Sequence, residues 1–458
     1  MAKENLSRAI GMRKKMRPTE LWKLKEPKVG EVPGPRQSEI NDRTGMISVP
    51  VVKNAGGLWI EDHDGNIFMD AVSGRCAVNI GHCHPRIMKL LENMTVTHGI
   101  HESRIILTDR LKEITPGSWD KTVSLALSGS AACDAGLKYA RWATRRPRVI
   151  AFAGAYHGTT YGAMALSSYK NSMIKGFGPH IPGVSHFPYP NRFRSPFTGE
   201  EDQHVSEKII NLIKHAFETY LPPDEVGAIF FEPVAGDAGW IFPDKSFVQD
   251  LANLAHKYGI YFVSEEVQTG YGRTGEMWGI DHYDVIPEVI VMGKAMGGGL
   301  PMSGIVGKLE DTTMDRFSHG HTFSGNPVSC KASIENISII EDEKLVSNSK
   351  IIGKQLLDGL EKIRDDSDII CRAEGMGMLL TLEVGSRSTP RPDCATRIVE
   401  ECYKRGIYTL NMGSWGTGCI RIAPPLVMTS EQASVLIDLL AESISEVEKN
   451  EYLYTSNS

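Results

Sequence analysis

Three short apolar runs near the middle of this 458-residue chain each end on a charged residue, and that recurrence limits the fold more than any other feature. Ala228-Ile229-Phe230-Phe231 runs into Glu232-Pro233, and Tyr261-Phe262-Val263-Ser264 into Glu265-Glu266-Val267-Gln268. Val289-Ile290-Val291-Met292 runs into Gly293-Lys294 and the glycines 297 to 299. Runs of this kind are how parallel strands read, because both of their faces are covered. In an open α/β sheet, ligands bind outside the carboxyl ends of the strands. Three such ends side by side would carry Glu232, Glu265 and Lys294 into one crevice. A lysine beside carboxylates in a dry cleft is a candidate Schiff-base nucleophile. Any one of these charges could mark nothing more than a strand end reaching solvent; three together point to a site.

The rest of the chain supplies the context for such a sheet. From about residue 120 to 310, apolar runs alternate with helical patterns, and Phe247, Leu251, Leu254, Ala255 and Tyr258 recur at helical spacing before Gly259. That alternation predicts βαβ units and a mainly parallel sheet. Earlier, residues 57–60 and 67–70 flank an Asp-Gly turn and predict a hairpin. After about 330 the pattern changes to long amphipathic helices, over 329–342 and 430–448, around short strands such as 378–384. The expected architecture is α/β, with a large domain over 76–330. A smaller α+β domain is built from both chain ends: an arm and hairpin over 1–75, and residues 331–458.

Composition narrows the functional classes. A formal net charge of -6, spread along the chain, asks for neither nucleic acid nor an anionic membrane. The basic stretch from Arg13 to Arg17 reads as solvated surface. No apolar stretch approaches the roughly 20 residues of a membrane helix, and the polar start lacks the core of a secretory signal. Eight cysteines without paired spacing read as reduced thiols in a cytoplasmic protein. Cys76, His82, Cys83 and His84 crowd together, but without a second cluster at ligand spacing they do not make a zinc site.

Two further segments complete a chemical set. Leu127-Ser128-Gly129-Ser130 precedes a run of good helix formers, and backbone N–H groups at a helix N-terminus suit a phosphate. Tyr156, in Ala155-Tyr156-His157-Gly158, follows the run 149–152 and could stack on a planar ring. A lysine for an aldehyde, a carboxylate for a pyridinium, a phosphate cradle and a stacking ring are together what pyridoxal phosphate needs.

At this point the chain resembles the class III aminotransferases, the fold-type I group of pyridoxal phosphate enzymes that contains 4-aminobutyrate and ornithine aminotransferases and several amino-acid racemases. The most specific stretch is 265–275, from Glu265-Glu266-Val267-Gln268 to Gly272-Arg273-Thr274-Gly275, followed by Gly293-Lys294. The resemblance implies that Lys294 bonds the cofactor's aldehyde and shuttles the substrate proton. It sets Gln268 near the ring's phenolic oxygen, Tyr156 against the ring and Gly129 and Ser130 at the phosphate. Thr322 corresponds to a threonine that reaches the neighbouring subunit's cofactor phosphate, which implies a homodimer with composite sites and leaves open a pairing of dimers into a tetramer. Arg421 falls where the family grips the α-carboxylate, and Glu232 matches a glutamate that pairs with that arginine in some members.

Three departures bear on function. Glu265 stands where the family has aspartate, one methylene shorter. Ala131-Ala132-Cys133-Asp134 replaces the common Glu-Ala-Asn-Glu. Thr159 replaces the arginine with which members that use 4-aminobutyrate hold its distal carboxylate, and Arg75 could take over that grip or serve a structural carboxylate. The segments around Tyr156 and Pro188-Tyr189-Pro190-Asn191 look closer to the isoleucine 2-epimerase and racemase branch. The expected activity is transfer of an amino group from a 4-aminobutyrate-like or α-amino acid to an α-keto acid such as 2-oxoglutarate; the alternative is racemisation or epimerisation on the same scaffold.

Overall fold

The computed structural model describes residues 52–62, 65–90, 101–198, 201–309, 314, 318–413 and 416–455. The expected N-terminal arm, its basic stretch and two residues of the hairpin turn lie outside this set. The chain forms two compact units, one of Leu90–Gly272 with Glu276–Ile340, the other of Met1–Lys89, Arg273–Gly275 and Glu341–Ser458.

The first unit holds a seven-stranded sheet. Its strands in chain order are β1 (Lys121–Ala126), β2 (Arg148–Phe152), β3 (Val184–Phe187), β4 (Val226–Phe231), β5 (Tyr261–Glu265), β6 (Val289–Met292) and β7 (Ser303–Lys308). They lie side by side in the order β1-β7-β6-β5-β4-β2-β3. Pairing is parallel from β6 through β5, β4 and β2 to β3. β7 runs antiparallel to both of its neighbours. The three apolar runs are thus adjacent parallel strands, and β4, β5 and β6 are buried at every position because helices cover both faces. Their carboxyl ends share one edge, followed at once by Glu232, by Glu265 itself and by Gly293-Lys294.

Helix α1 (Gly129–Thr144) crosses the sheet with Ala132, Cys133, Ala135 and Ala140 in a core shared with Phe230, Val263 and Val291. Its approach is close. A Cβ on Gly136 would stand 3.1 Å from Val291 Cγ2, and one on Gly129 3.1 Å from Val267 Cγ1. Ser128 starts the helix by accepting the Ala131 N–H at 3.2 Å, the usual N-cap arrangement.

In the second unit the expected hairpin forms, with Trp59 opposite Met69 and Ile60 opposite Phe68. Ile407–Tyr408 adds to it as a parallel strand. A separate antiparallel sheet contains Ile370–Met376, Leu379–Val384, Gly418–Ile422 and Leu410–Asn411. The helix expected over 430–448 runs over Ser430–Thr455, and Leu345–Asp365 and Pro392–Lys404 are further helices of this unit; the helix expected over 329–342 forms as Pro327–Asp342, most of it in the first unit.

Arg273, part of the most specific sequence motif, is a structural tie within this second unit. It is fully buried, and its guanidinium donates to Met378 O (3.0 Å), Pro424 O (2.6 Å), Ser73 Oγ (3.1 Å) and Asn79 Oδ1 (2.5 Å). Four acceptors from three distant parts of the chain are satisfied by one side chain. Each buried acceptor left alone costs about 1–3 kcal/mol. Arg273→Leu should therefore lower unfolding free energy by at least about 4 kcal/mol in a denaturant titration, and a loss below about 1 kcal/mol would mean the tie carries little.

Candidate active site

The carboxyl edge of the large sheet opens into a cavity of about 180 Å³ lined by Gly129, Ser130, Tyr156, Glu232, Glu265, Gln268 and Lys294, with His157, Gly158, Val234, Val267 and Thr269. The convergence of Glu232, Glu265 and Lys294 is the one expected from the strand ends. It arises because β2, β4, β5 and β6 are neighbours and α1 begins at the same edge.

Lys294 opens a short 3-10 turn directly after β6, and its backbone is left-handed at φ +44. A non-glycine residue held there stores strain of order 1–3 kcal/mol, a common mark of functional positions. The turn ends at Gly298, left-handed at φ +57, where a residue without a Cβ meets no steric cost.

Glu265 is buried at the end of β5. Its Oε1 accepts the Val267 N–H at 2.7 Å, and its Oε2 lies 3.2 Å from His157 Nδ1. Glu232 is buried beside it, with Oε1 on the Tyr156 N–H (2.9 Å) and Oε2 on the Gly236 N–H (2.5 Å). Burial first, then the charge of Glu265, pushes the Glu232 carboxyl up to about 7. For His157, burial opposes the charged form, but the hydrogen bond to Glu265 and the charges of Glu232 and Glu265 outweigh it and raise its value. Gln268 is fixed from two sides, since Trp240 Nε1 donates to its Oε1 (3.1 Å) and its Nε2 donates to Asp237 Oδ1 (3.3 Å).

One side of the cavity is formed by backbone at the start of α1. The first N–H groups of a helix have no intrahelical acceptor, and Gly129 and Ser130 bring theirs to the cavity. Ser130 Oγ accepts the Thr159 N–H at 3.2 Å. Gly158 is left-handed at φ +124, and a Cβ there would come within 2.6 Å of Ser130 Cβ, so the loop and the helix start can only meet through glycine.

The remaining candidates lie elsewhere. Thr322 lines a separate polar cavity of about 410 Å³ in the same unit, with Arg104, Ser124, His319, His321 and Ser324. Arg421 and Arg75 belong to the other unit. Arg421 is buried on the strand Gly418–Ile422, opposite Thr381. Arg75 is exposed on a turn whose four residues, Ser73 to Cys76, are all left-handed, with φ between +49 and +64. Asp70 braces that turn by accepting the N–H groups of Val72 (2.9 Å) and Gly74 (2.8 Å).

Sequence reasoning missed His157, Asp237 and Trp240 as site residues. His157 had a signal, its place directly after Tyr156; the other two had none, because their role is to hold Gln268, some 30 positions on. A lysine amine, a carboxylate and a helix start in one cavity fit the aldehyde, ring nitrogen and phosphate of pyridoxal phosphate, and Gly158 lets the loop close on the helix start. Fold and site together therefore define a pyridoxal phosphate-dependent enzyme of fold-type I.

Comparison with known proteins narrows this. The family described as Aminotransferase class-III matches residues 40–444, and the chain belongs to it. Among its relatives, an alanine/serine racemase of Pyrococcus horikoshii is 34% identical, over 90% of this chain and 91% of that protein. An isoleucine 2-epimerase of Lentilactobacillus buchneri is 32% identical (88% and 91%), and a 4-aminobutyrate aminotransferase of Mycobacterium leprae 31% (91% and 98%). A transaminase from a marine Virgibacillus superimposes with a TM-score of 0.82 at 26% identity, covering 92% of this chain and 98% of its own. Among the described residues, no helix is long and apolar enough to cross a membrane.

The raised carboxyl of Glu232 sets a pH dependence. A carboxyl that holds its proton more tightly folded than unfolded makes stability fall as pH climbs from its ordinary 4.5 to about 7. His157, raised from 6.5, adds a contribution present below that value and lost as pH rises through its folded value. Denaturant unfolding of the cofactor-free protein should thus weaken from pH 4.5 upward. Glu232→Gln should lessen the slope between 4.5 and 7 by up to about 1.4 kcal/mol per pH unit, and an unchanged slope would remove Glu232 from this account.

Proposed function

We propose that this enzyme is an aminotransferase that moves the amino group of an amino acid, α-amino or 4-aminobutyrate-like, to an α-keto acid such as 2-oxoglutarate. The observation that carries the reading is that Lys294 and Glu265 line one cavity with the helix start at Gly129 and Ser130. Bound there, pyridoxal phosphate would supply the electron sink for the pair left when the substrate's α-proton departs. Lys294 Nζ takes that proton and returns it. Glu265, steadied by His157, would hold the ring nitrogen and its proton. Gln268, clamped by Trp240 and Asp237, would serve the phenolic oxygen, and Tyr156 would stack on the ring. Gly129 and Ser130 hold the phosphate through their N–H groups.

Substrate recognition falls to the remaining residues. Arg421 grips the α-carboxylate in two parallel hydrogen bonds, and Glu232 pairs with it when the substrate has none. Arg75, exposed on its braced turn and hydrogen-bonded to Tyr408, serves a second, distal carboxylate in place of the arginine missing at Thr159. Thr322 completes the phosphate site of a partner subunit, so the working form is a homodimer.

Racemisation is the second reading, favoured by the racemase and epimerase relatives. It needs an acid or base opposite Lys294, and Asp237, buried against Gln268, is our candidate.

Chiral chromatography of L-isoleucine, L-leucine and L-alanine incubated with cofactor-loaded protein separates the two. Without a keto acid no turnover is expected, and turnover should begin once 2-oxoglutarate or pyruvate is added; inverted stereoisomer beyond one enzyme equivalent without an acceptor would establish the racemase instead. Arg75→Ala should raise KM at least tenfold for dicarboxylic partners and less than twofold for alanine, and equal effects on both would end the case for a distal grip.

A further inference from the structure

Two of the chain's departures from its family meet in space. Cys133, on α1, stands where the family pattern has asparagine, and Glu265 stands where it has aspartate. The Cys133 Sγ, an imidazole nitrogen of His157 and a carboxylate oxygen of Glu265 all lie within 4.8 Å of one another, and all three residues are buried. His157 Nδ1 faces the carboxylate, while its Nε2 is buried without a hydrogen-bond partner. We propose that Cys133 is a positioning residue for Glu265: the small thiol makes the room that the longer carboxylate needs and backs it, with His157, against the cofactor's ring nitrogen.

The packing of α1 explains why the room has to come from this position. Residues 129, 133, 136 and 140 follow one another at helical spacing along the face that meets the sheet. At Gly129 and Gly136 even a single added carbon would sit 3.1 Å from a valine methyl of the strand layer. The helix thus already lies close against the sheet at both glycines, and the additional methylene of Glu265 takes up space that the small side chain at 133 leaves. A branched or amide side chain at 133 would push into the Glu265 carboxylate or displace the His157 ring. Three carboxylates surround the thiol, and burial together with the charges of Glu265, Asp134 and Glu232 keeps it protonated. It is thus a neutral filler and weak donor that adds no second anion beside the ring nitrogen.

The inference rests on the reading that this cavity binds pyridoxal phosphate, and a double-mutant cycle tests it. The readouts are the dissociation constant of pyridoxal phosphate for the cofactor-free protein, followed by fluorescence quenching, and the pH midpoint of the bound cofactor's visible absorbance. Cys133→Val should weaken binding at least tenfold and move the midpoint by more than half a pH unit. Glu265→Asp should weaken binding by a similar factor. The double variant should bind at least fivefold better than the product of the two losses predicts, because the shorter carboxylate vacates the space that valine fills. Cys394→Val, at a buried cysteine of the other unit, should leave both readouts unchanged.

If Cys133→Val does not fold but the double variant folds and binds, that rescue supports the pairing; failure of both to fold overturns it. Losses that simply multiply would also overturn it, leaving the cofactor reading intact. A wild-type chain that binds no pyridoxal phosphate would overturn the cofactor reading itself.

Discussion

The site depends on how closely α1 can lie against the carboxyl half of the central sheet. The gap is set by Gly129, Cys133 and Gly136 on the helix and by Val267, Val291 and Phe230 on the strand side. That packing puts the helix start beside the ends of β5 and β6, so Gly129, Ser130, Glu265 and Lys294 share one small volume. A wider gap would part the helix start from Glu265, and with it the cofactor site proposed above. Interiors this dense do not deform smoothly, and small residues in this layer therefore have functional consequences without touching substrate.

Electrostatics adds a second constraint. Glu232, Glu265 and His157 are buried together, and an isolated buried charge is costly unless it is paired or hydrogen-bonded. The structure meets this with backbone donors on both carboxylates and an imidazole behind one of them. The consequence is asymmetric: Glu232 is pushed towards neutrality near pH 7, whereas Glu265 is the one held against an imidazole.

Much of this was legible in the sequence. The apolar runs 228–231, 261–264 and 289–292 read as buried parallel strands because they are short, aromatic or β-branched and repeat between helical patterns, and the charges closing them marked the crevice. Helix 329–342 and the hairpin over 57–70 were equally plain from their periodicity and turn residues. The motif from Glu265 to Gly275 was read as a unit, yet its halves do different work: Glu265 and Gln268 line the cavity, while Arg273 ties four acceptors in the other unit. Nothing in local spacing separates those roles, since a motif is a run along the chain and its uses lie in different directions from it.

What the sequence determined by itself was the set of chemical groups and the elements that carry them: a lysine, a carboxylate and an amide at strand ends, and a helix start with free N–H groups. Only the tertiary structure decided which groups meet. Asp237 and Trp240 clamp Gln268 across some 30 residues, His157 backs Glu265 across more than 100, and Cys133 lies against both. The physical reason is that strand order, β1-β7-β6-β5-β4-β2-β3, is not chain order. Periodicity fixes what each segment is, whereas neighbour relations come from how the whole chain closes its core.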